Sequence, residues 1–283
     1  MLPKEKGGVS LTKKKRRLWL LAALAAVVVS ALYHGTLDPE TWQVSSDRLP
    51  PAFEGLRVTL LTDLHGASFG PDHRLLLQAV TDQQPDLIAI SGDLADERTA
   101  KETLPALLTG LAEIAPTYYV TGNHEWVRED TEDLLQEIAG CGVTVLRNDY
   151  LLLERDGQTI VLAGTEDPNA YRDMETPEAL VARIRAEVPG DPYILMLYHR
   201  NNSLALWSQL GVDLVLAGHG HGGVIRLPWV GGLLGVDRRF FPKDCEGLYH
   251  DGRTTLAVSR GLGGVRLFNR PHLPTLELHR SNP

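Results

Sequence analysis

The stretch Val58-Thr59-Leu60-Leu61-Thr62-Asp63-Leu64-His65 combines the two features on which the fold assignment depends. Its first five residues are apolar or β-branched, which is typical of a buried strand. Its last three include an aspartate and a histidine, which are side chains that bind metal ions. Open α/β sheets bind their ligands beyond the carboxyl ends of the strands. A strand that ends in metal-binding residues therefore predicts a metal site at such a sheet edge.

Four more strand-like runs end in polar residues of the same kind. These endings are Ser91-Gly92-Asp93, Thr121-Gly122-Asn123-His124-Glu125, Tyr198-His199 and Ala217-Gly218-His219-Gly220-His221. Histidine, aspartate and asparagine without a thiolate suit Mn²⁺, Fe or Zn²⁺. In an extended segment, residues i and i+2 point the same way, so the Asp-x-His and His-x-His pairs are each expected to reach one ion. The glycines beside the candidate ligands predict sharp turns and close backbone approach.

The rest of the chain alternates strand and helix patterns. Helices are predicted at 72–83, 99–114, 131–139, 177–188 and 204–210, and Pro105 is expected to kink or break the second of them. Asp156-Gly157 and Asp251-Gly252 predict hairpin turns, and a last strand is predicted near 275–278. Strands that alternate with helices and then give way to hairpins indicate a mixed α/β fold.

The five endings, taken in order, resemble the motifs of the calcineurin-like metallophosphoesterase superfamily. The resemblance covers nearly all of residues 55–280. The C-terminal segments Val258-Ser259-Arg260-Gly261-Leu262-Gly263 and Asn269-Arg270-Pro271, together with an N-terminal apolar run, resemble its bacterial membrane-associated, YkuE-like branch. The fold that this resemblance implies is two mixed β-sheets packed face to face and flanked by helices.

The resemblance also implies roles for individual residues. Seven positions match the family's metal ligands: Asp63, His65 and His221 for one ion, Asn123, His199 and His219 for the other, and Asp93 as the bridge between them. His124 would face the substrate phosphate and, with Asp93, count as catalytic. The implied reaction is hydrolysis of a phosphoester, with a phosphodiester preferred, by a hydroxide that two ions of Mn, Fe or Zn activate.

Several residues near these motifs are further candidates for a role at the site. Glu125 either orients a ligand or is an acidic residue at a helix start. Arg200 stands where many relatives have an acidic or small residue, and it therefore affects the shape and charge of the substrate pocket. Arg260 either contacts a phosphate or pairs with a carboxylate of the body, and the pair is preferred. Asp167 and Asn169 either approach the pocket or are turn residues.

The N-terminus predicts a membrane segment. Residues 1–17 form a basic segment, and residues 18–33 are 16 residues without a charge. This length falls between a spanning helix of about 20 residues and a secretory h-region of roughly 7–15. Basic residues are retained in the cytoplasm, which predicts a single-pass protein with an extracytoplasmic catalytic domain. A cleaved signal and a secreted domain are the alternative. Residues 34–54 are expected to be a linker and 55–283 the metallophosphoesterase domain.

The net charge of the chain beyond residue 35 limits the classes of partner and substrate that are expected. Beyond residue 35 the chain carries 21 basic and 35 acidic residues, a net charge of −14. This argues against binding nucleic acid through bulk electrostatics. A lipid- or cell-wall-linked phosphoester of the envelope remains compatible, because bound metal ions reverse the local field. A general phosphomonoesterase and a non-catalytic, metal-bound interaction module at the envelope are the alternatives.

Two further features have open interpretations. The apolar run 227–234 is expected to be a buried loop and strand, with an apolar lip against a membrane or an acyl chain as the alternative. Cys141 and Cys245 either form one disulfide in an oxidising compartment or remain free thiols.

Overall fold

The computed structural model describes residues 13–21, 28, 36–170, 174–227 and 229–281. The strands are β1 Asp38–Ser46, β2 Leu56–Leu61, β3 Leu87–Ser91, β4 Thr117–Val120, β5 Thr144–Val145, β6 Asp149–Arg155, β7 Gln158–Gly164, β8 Ile194–Leu197, β9 Leu214–Ala217, β10 Ile225–Leu227, β11 Gly231–Leu234, β12 Gly247–Asp251, β13 Thr254–Val258 and β14 His272–Arg280. The helices of the body are α1 Arg74–Asp82, α2 Pro105–Ile114, α3 Thr131–Gly140, α4 Pro177–Glu187 and α5 Leu204–Gln209.

Twelve of these strands form two six-stranded sheets. The first sheet has the order β1-β14-β2-β3-β4-β5, and the second has the order β12-β13-β9-β8-β7-β6. In the first sheet β14 is antiparallel to β2, whereas the other neighbours are parallel. In the second sheet the four central strands are parallel and both edge strands are antiparallel. Both sheets are therefore mixed, as predicted.

Three apolar cores hold the sheets and helices together. The central strands are apolar on both faces, which is typical of strands that are covered on both sides. Residues on their inner faces, such as Leu60, Ala89, Leu195 and Leu216, share one core between the two sheets. Outward-facing residues of the first sheet pack with α1, α2 and α3, and those of the second sheet pack with α4 and α5. The predicted arrangement of two face-to-face sheets flanked by helices is confirmed.

Two local assignments differ from the sequence analysis. Residues 34–54, expected as a linker, contain β1, which pairs in parallel with β14 at the edge of the first sheet. Most side chains of this edge strand are exposed or half-buried, so it lacks the apolar run that marks the central strands. The helix predicted at 99–114 begins at Pro105. Proline is favoured at the first position of a helix, where its missing N–H costs no hydrogen bond.

The predicted membrane segment, residues 18–33, lies mostly outside the described residues, which include only 18–21 and 28 of it. Residues 13–21 are helical and exposed. Within the described part of the chain, no helix is both long and apolar enough to span a bilayer. All residues of the three cores lie between Leu37 and Leu278. The described core residues therefore all follow the predicted N-terminal segment in the chain.

The run 227–234 is less buried than expected. Strands β10 and β11 pair with each other as a separate ribbon instead of joining a six-stranded sheet. Trp229 and Val230, at the tip of this ribbon, are exposed. The two cysteines, Cys141 and Cys245, are both free thiols.

Candidate metal centre

The candidate ligands lie where the carboxyl edges of the two sheets meet. Asp63, Asp93 and Asn123 follow β2, β3 and β4 of the first sheet, whereas His199 and His219 follow β8 and β9 of the second. The strand-end motifs predicted a site at one sheet edge, so the convergence of two edges is a correction. It arises because the sheets pack face to face: the hydroxyl of Ser91, the last residue of β3, donates to the Leu216 carbonyl of β9 at 2.9 Å.

One group of ligands consists of Asp63, His65 and His221. The Nε2 atoms of the two histidines are 3.4 Å apart, and their rings stack with centroids 5.1 Å apart. Asp63 Oδ1 lies 3.4 Å from His221 Nε2 and 4.0 Å from His65 Nε2. A carboxylate oxygen and two ring nitrogens therefore face one point, as three ligands of a metal ion do.

A second group surrounds His199. Its Nε2 atom lies 3.1 Å from His219 Nδ1, 3.2 Å from Asn123 Oδ1 and 3.1 Å from Asp93 Oδ2. The same Asp93 oxygen is 3.8 Å from His65 Nε2 in the first group. Asp93 thus lies between the two groups, and the structure brings all seven predicted ligand side chains together.

The backbone of the ligand loops is left-handed rather than extended. Five ligand residues have φ between 47° and 63°, namely Asp63, His65, Asp93, His219 and His221. The expectation that Asp-x-His and His-x-His segments are extended is therefore wrong. Aspartate and histidine are enriched among the non-glycine residues that adopt positive φ, and such conformations cluster at functional sites. Alternate left-handed residues, and not strand pleating, direct the paired side chains to one side.

Two glycines allow the ligand loops to approach each other. A Cβ atom at Gly122 would lie 2.2 Å from Asp93 Oδ1. A Cβ atom at Gly218 would lie 2.1 Å from Thr62 Oγ1 and 2.4 Å from Asp63 Oδ2. Both contacts are shorter than any side chain tolerates, so close approach at these positions requires glycine, as predicted.

Hydrogen bonds, burial and neighbouring charges set the protonation states of His199, His219 and His221. The Ser91 carbonyl accepts from His199 Nδ1 at 2.8 Å, which directs His199 Nε2 towards the other ligands. Burial alone would lower the pKa of His199, but the Asp93 carboxylate raises it to about 10. Burial and the charge of His199 lower the pKa of His219 to about 4, and burial and Arg266 lower that of His221 to about 3. At neutral pH the latter two are neutral and have free lone pairs.

Glu125 lies beneath the ligands and ties two of their loops together. Its carboxylate is fully buried and accepts hydrogen bonds from the backbone N–H groups of Asp93 at 3.0 Å, Ala95 at 3.0 Å and Gly122 at 2.8 Å. Burial and the nearby Asp93 carboxylate raise the pKa of Glu125 to about 7. These contacts correspond to the interpretation of Glu125 as a residue that orients a ligand.

His124 stands at the open side of the site. Its backbone N–H donates to Asp93 Oδ1 at 2.9 Å, and its half-exposed ring meets the His65 ring edge-on with centroids 4.9 Å apart. His124 Nδ1 lies 3.4 Å from Glu97 Oε2. Glu97 was not among the predicted site residues. Its only signal was its place four residues after Asp93 in the same loop, and this does not reveal which way the side chain turns.

Arg200 is held beside the second group by a buried partner. Its Nε and Nη2 atoms donate to Asp167 Oδ2 and Oδ1 at 2.6 and 2.9 Å, and Asp167 is almost fully buried. Arg200 Nη1 lies 3.4 Å from His219 Nε2. Asp167 also accepts from the Asn169 backbone N–H at 2.9 Å. Asp167 is thus both a turn residue and the support of an arginine at the pocket wall.

The loop after β13 supports the ligand loops from the other side. Arg260 pairs with Glu246 at 3.1 Å and with Asp38, as preferred in the sequence analysis. Two further residues were missed. The Asn269 amide donates to the carbonyl of His221 at 2.6 Å, and buried Arg266 donates to the carbonyl of Gly261 at 3.0 Å. Asn269 belongs to the quoted Asn269-Arg270-Pro271 segment, which could have identified it.

Comparisons with known proteins match the chain to phosphoesterases. Residues 56–223 match the family model described as calcineurin-like phosphoesterase. The chain is 30% identical to phosphodiesterase YaeI of Escherichia coli (strain K12), over 93% of this chain and 98% of that protein. It is 26% identical to the uncharacterized metallophosphoesterase YkuE of Bacillus subtilis (strain 168), over 96% of this chain and all of that protein. A dimetal phosphatase from Danio rerio shares the fold with a TM-score of 0.50 and 14% identity, covering 80% of this chain and 94% of that one.

The chain therefore belongs to the calcineurin-like phosphoesterase family. The bacterial relatives YkuE and YaeI fit the bacterial branch that the sequence motifs indicated. By this membership it is an enzyme that hydrolyses phosphoester bonds.

Proposed function

We propose that this chain hydrolyses a phosphodiester at a pair of metal ions. The observation that carries the proposal is the position of Asp93, whose Oδ2 atom lies 3.1 Å from His199 Nε2 in one ligand group and 3.8 Å from His65 Nε2 in the other. Two-metal phosphoesterase sites hold their ions about 3.5–4 Å apart, a separation that one shared carboxylate can bridge.

The donor set fits such a pair of ions. Asp63 and Asp93 are two buried carboxylates that face four imidazoles and one amide oxygen. Asp63, His65 and His221 would hold one ion, Asn123, His199 and His219 would hold the other, and Asp93 would touch both. This mixture of nitrogen and oxygen donors suits Mn, Fe or Zn. When bound, such ions lower the pKa of water to about 7 and offset the charge of the phosphoryl oxygens.

His124 is the residue placed to handle a proton during the reaction. Its ring is half-exposed beside the first ligand group, and its Nδ1 atom lies next to the Glu97 carboxylate. We assign to it the donation of a proton or hydrogen bond to the oxygen of the leaving group. Arg200, fixed by Asp167, lies where it would contact a phosphoryl oxygen on the side of the second group. This chain then needs no nucleophile of its own and forms no covalent phosphoenzyme.

Two observations favour a diester over a monoester. A diester carries one negative charge and a monoester two, and the acidic body, with a net charge of −14 beyond residue 35, repels the more highly charged substrate. In addition, the E. coli relative is named as a phosphodiesterase. The basic and apolar composition of the N-terminal segment supports a further part of the proposal, namely that the activity lies at the outer side of the cell membrane and acts on an envelope phosphodiester.

The test compares two substrates after metal removal. The chelated protein should be inactive on bis(p-nitrophenyl) phosphate and should recover with Mn²⁺, Zn²⁺ or Fe, whereas p-nitrophenyl phosphate should be hydrolysed more slowly. Asp93→Ala should lose both ions together. A metal-loaded protein that turns over neither substrate would favour the non-catalytic module, and a preference for the monoester would favour a phosphomonoesterase.

A further inference from the structure

An exposed loop beside the metal centre has an unusual composition. Residues 236–243 read Val-Asp-Arg-Arg-Phe-Phe-Pro-Lys, and we call this segment the aromatic–basic loop. All of residues 236–241 are exposed. Phe240 is 71% exposed and Phe241 is 63% exposed. Two adjacent phenylalanines in water lose the free energy that burial would provide, so a surface of this kind usually meets a partner.

The same loop is basic on an acidic protein. Arg238, Arg239 and Lys243 outnumber Asp237, although the body as a whole has a net charge of −14. Arg239 pairs with Asp237 at 3.5 Å. Within the described residues, neither Arg238 nor Lys243 forms an ion pair. The loop therefore presents unneutralised positive charge next to its exposed aromatic side chains.

The backbone of the loop is fixed, so the exposure of its side chains is not a consequence of fraying. Phe240 bridges to Leu234 at the end of β11, and the backbone N–H of Phe241 donates to the Leu233 carbonyl at 3.0 Å. The N–H of Gly235 donates to the carbonyl of Arg239 at 2.8 Å and closes the turn. These bonds fix the backbone of both phenylalanines, whose side chains are exposed.

The loop lies at the mouth of the metal centre. A cavity of about 540 Å³ extends from His219 and Gly220 to Phe240 and Phe241. Gly264 lies against the ring of the ligand His221, and the next residue, Val265, is 82% exposed. Exposed apolar side chains therefore flank the site from two different loops.

We propose that the aromatic–basic loop docks the protein on an anionic lipid bilayer, with the mouth of the metal centre at the membrane surface. Surface-binding segments place aromatic side chains at the boundary of headgroups and acyl chains, while arginine and lysine contact anionic headgroups. A fixed loop with two phenylalanines beside three cations meets both requirements. The acidic body would repel the same bilayer, which confines the contact to this face. The docking does not depend on the proposed reaction, because it is measured without turnover.

Vesicle sedimentation of the fragment 36–283 tests the docking. This fragment contains all three cores and lacks the predicted N-terminal segment, which would bind vesicles by itself. The fragment should sediment with phosphatidylcholine vesicles that contain phosphatidylglycerol, and much less with phosphatidylcholine alone. Phe240→Ser with Phe241→Ser should lower the partition coefficient by about tenfold, because the apolar side chains no longer enter the interface. Arg238→Glu with Arg239→Glu should abolish the preference for the anionic vesicles.

A matched control lies on β6, the edge strand of the second sheet opposite to β12, and β12 is the strand that follows the aromatic–basic loop in the chain. Leu152 and Arg155 are an exposed apolar and an exposed basic residue of β6, and Leu152→Ser with Arg155→Glu should leave vesicle binding unchanged. Equal thermal midpoints and metal contents show that each variant folds. The proposal is overturned if the unaltered fragment stays in the supernatant, or if the phenylalanine variant binds as well as the unaltered fragment. Binding of soluble polyphosphate that is lost only with the arginines, without vesicle binding, would assign the loop to an anionic polymer instead.

Discussion

The buried carboxylate of Glu125 accepts a hydrogen bond from the backbone N–H of Asp93 at 3.0 Å, directly behind the carboxylate that lies between the two ligand groups. The same Glu125 oxygen accepts from the N–H of Gly122 at 2.8 Å. One side chain thus sets the separation of the loop that carries Asp93 and the loop that carries Asn123.

Replacement of Glu125 by glutamine tests this link. The amide nitrogen has no acceptor capacity, so at least one of the three backbone donors loses its partner in a buried place. We expect Glu125→Gln to weaken metal binding by about 10–100-fold, the usual effect of losing a residue that orients a ligand. Titration calorimetry with Mn²⁺ measures the change. Glu102→Gln, on an exposed turn before α2, is the control, and an unchanged affinity in Glu125→Gln would show that Glu125 does not position the ligands.

His124→Asn should separate metal binding from proton donation. Because His124 is not among the seven proposed ligands, the variant should keep both ions. A general acid contributes about 10²–10⁴-fold to the rate, and most when the leaving group is a poor one. We therefore expect a large loss of turnover on an alkyl phosphodiester and a much smaller loss on bis(p-nitrophenyl) phosphate. Equal losses on both substrates would contradict the proton-donor role.

Removal of the Glu97 contact should have a weaker effect in the same direction. Glu97 is exposed and its Oε2 atom lies 3.4 Å from His124 Nδ1, so it restricts the ring without burying a charge. Glu97→Gln should lower turnover on the alkyl diester by less than His124→Asn does, and it should have no further effect in a His124→Asn background. Additive losses in the double variant would assign Glu97 a separate role.

The Arg200–Asp167 pair makes a prediction about substrate binding. A guanidinium held in two-point contact with a carboxylate keeps one direction, and lysine cannot reproduce that geometry. Arg200→Lys and Asp167→Asn should each raise KM for a phosphodiester by about tenfold, in keeping with a charged hydrogen bond worth about 1.5–3 kcal/mol. Metal content should remain unchanged. A loss of metal in either variant would mean that the pair supports His219 rather than substrate.

The raised pKa of His199 predicts that metal binding depends on pH. With its pKa at about 10, His199 is protonated at pH 7, and its Nε2 atom must lose that proton to bind an ion. Affinity should therefore rise as pH increases from 6 to 9, with about one proton released for each metal pair from this residue. Calorimetry in buffers of different ionisation enthalpy counts the protons. A pH-independent affinity would show that His199 is not a ligand.

Gly218→Ala tests the close approach of the ligand loops. The new Cβ atom would lie 2.1 Å from Thr62 Oγ1 and 2.4 Å from Asp63 Oδ2, so the side chains of Thr62 and Asp63 have to shift from their present positions. We expect metal affinity to fall by at least about tenfold, as for other losses of ligand orientation. Gly140→Ala is the matched control, because a Cβ atom there meets nothing within 4 Å. Similar behaviour of the two variants would rule out the steric requirement.

The central strands and the identity of the ligands could be predicted because both have strong local signals. Runs buried on both faces are largely apolar, as in residues 87–90 of β3, and the residues that follow them are chemically distinct. Helix α4 was predicted together with its cap, and the Thr176 hydroxyl indeed accepts from the Ala179 N–H at 3.2 Å. Signals of this kind lie within a few residues of the feature that they predict.

Features that depend on distant segments could not be predicted. Strand β1 is an exposed edge strand whose pairing with β14 joins residues more than 200 positions apart. The contacts of Glu97, Arg266 and Asn269 likewise depend on which loop lies next to them. The left-handed backbone conformation at Asp63 and His65 could not be predicted either. An Asp-x-His spacing is the same in a left-handed loop and in an extended strand.

The positive φ angles at Asp63, His65, Asp93, His219 and His221 also limit how this centre can be re-engineered. Among metal-binding side chains, aspartate, asparagine and histidine enter the left-handed region most readily. A swap of His65 or His221 to asparagine or aspartate would change the hardness of the donor atoms while keeping the backbone in place. Cysteine or glutamate at the same positions would have to adopt a backbone conformation in which these residues are not enriched. Metal selectivity in this scaffold is therefore tunable towards oxygen donors and resists conversion to a thiolate site.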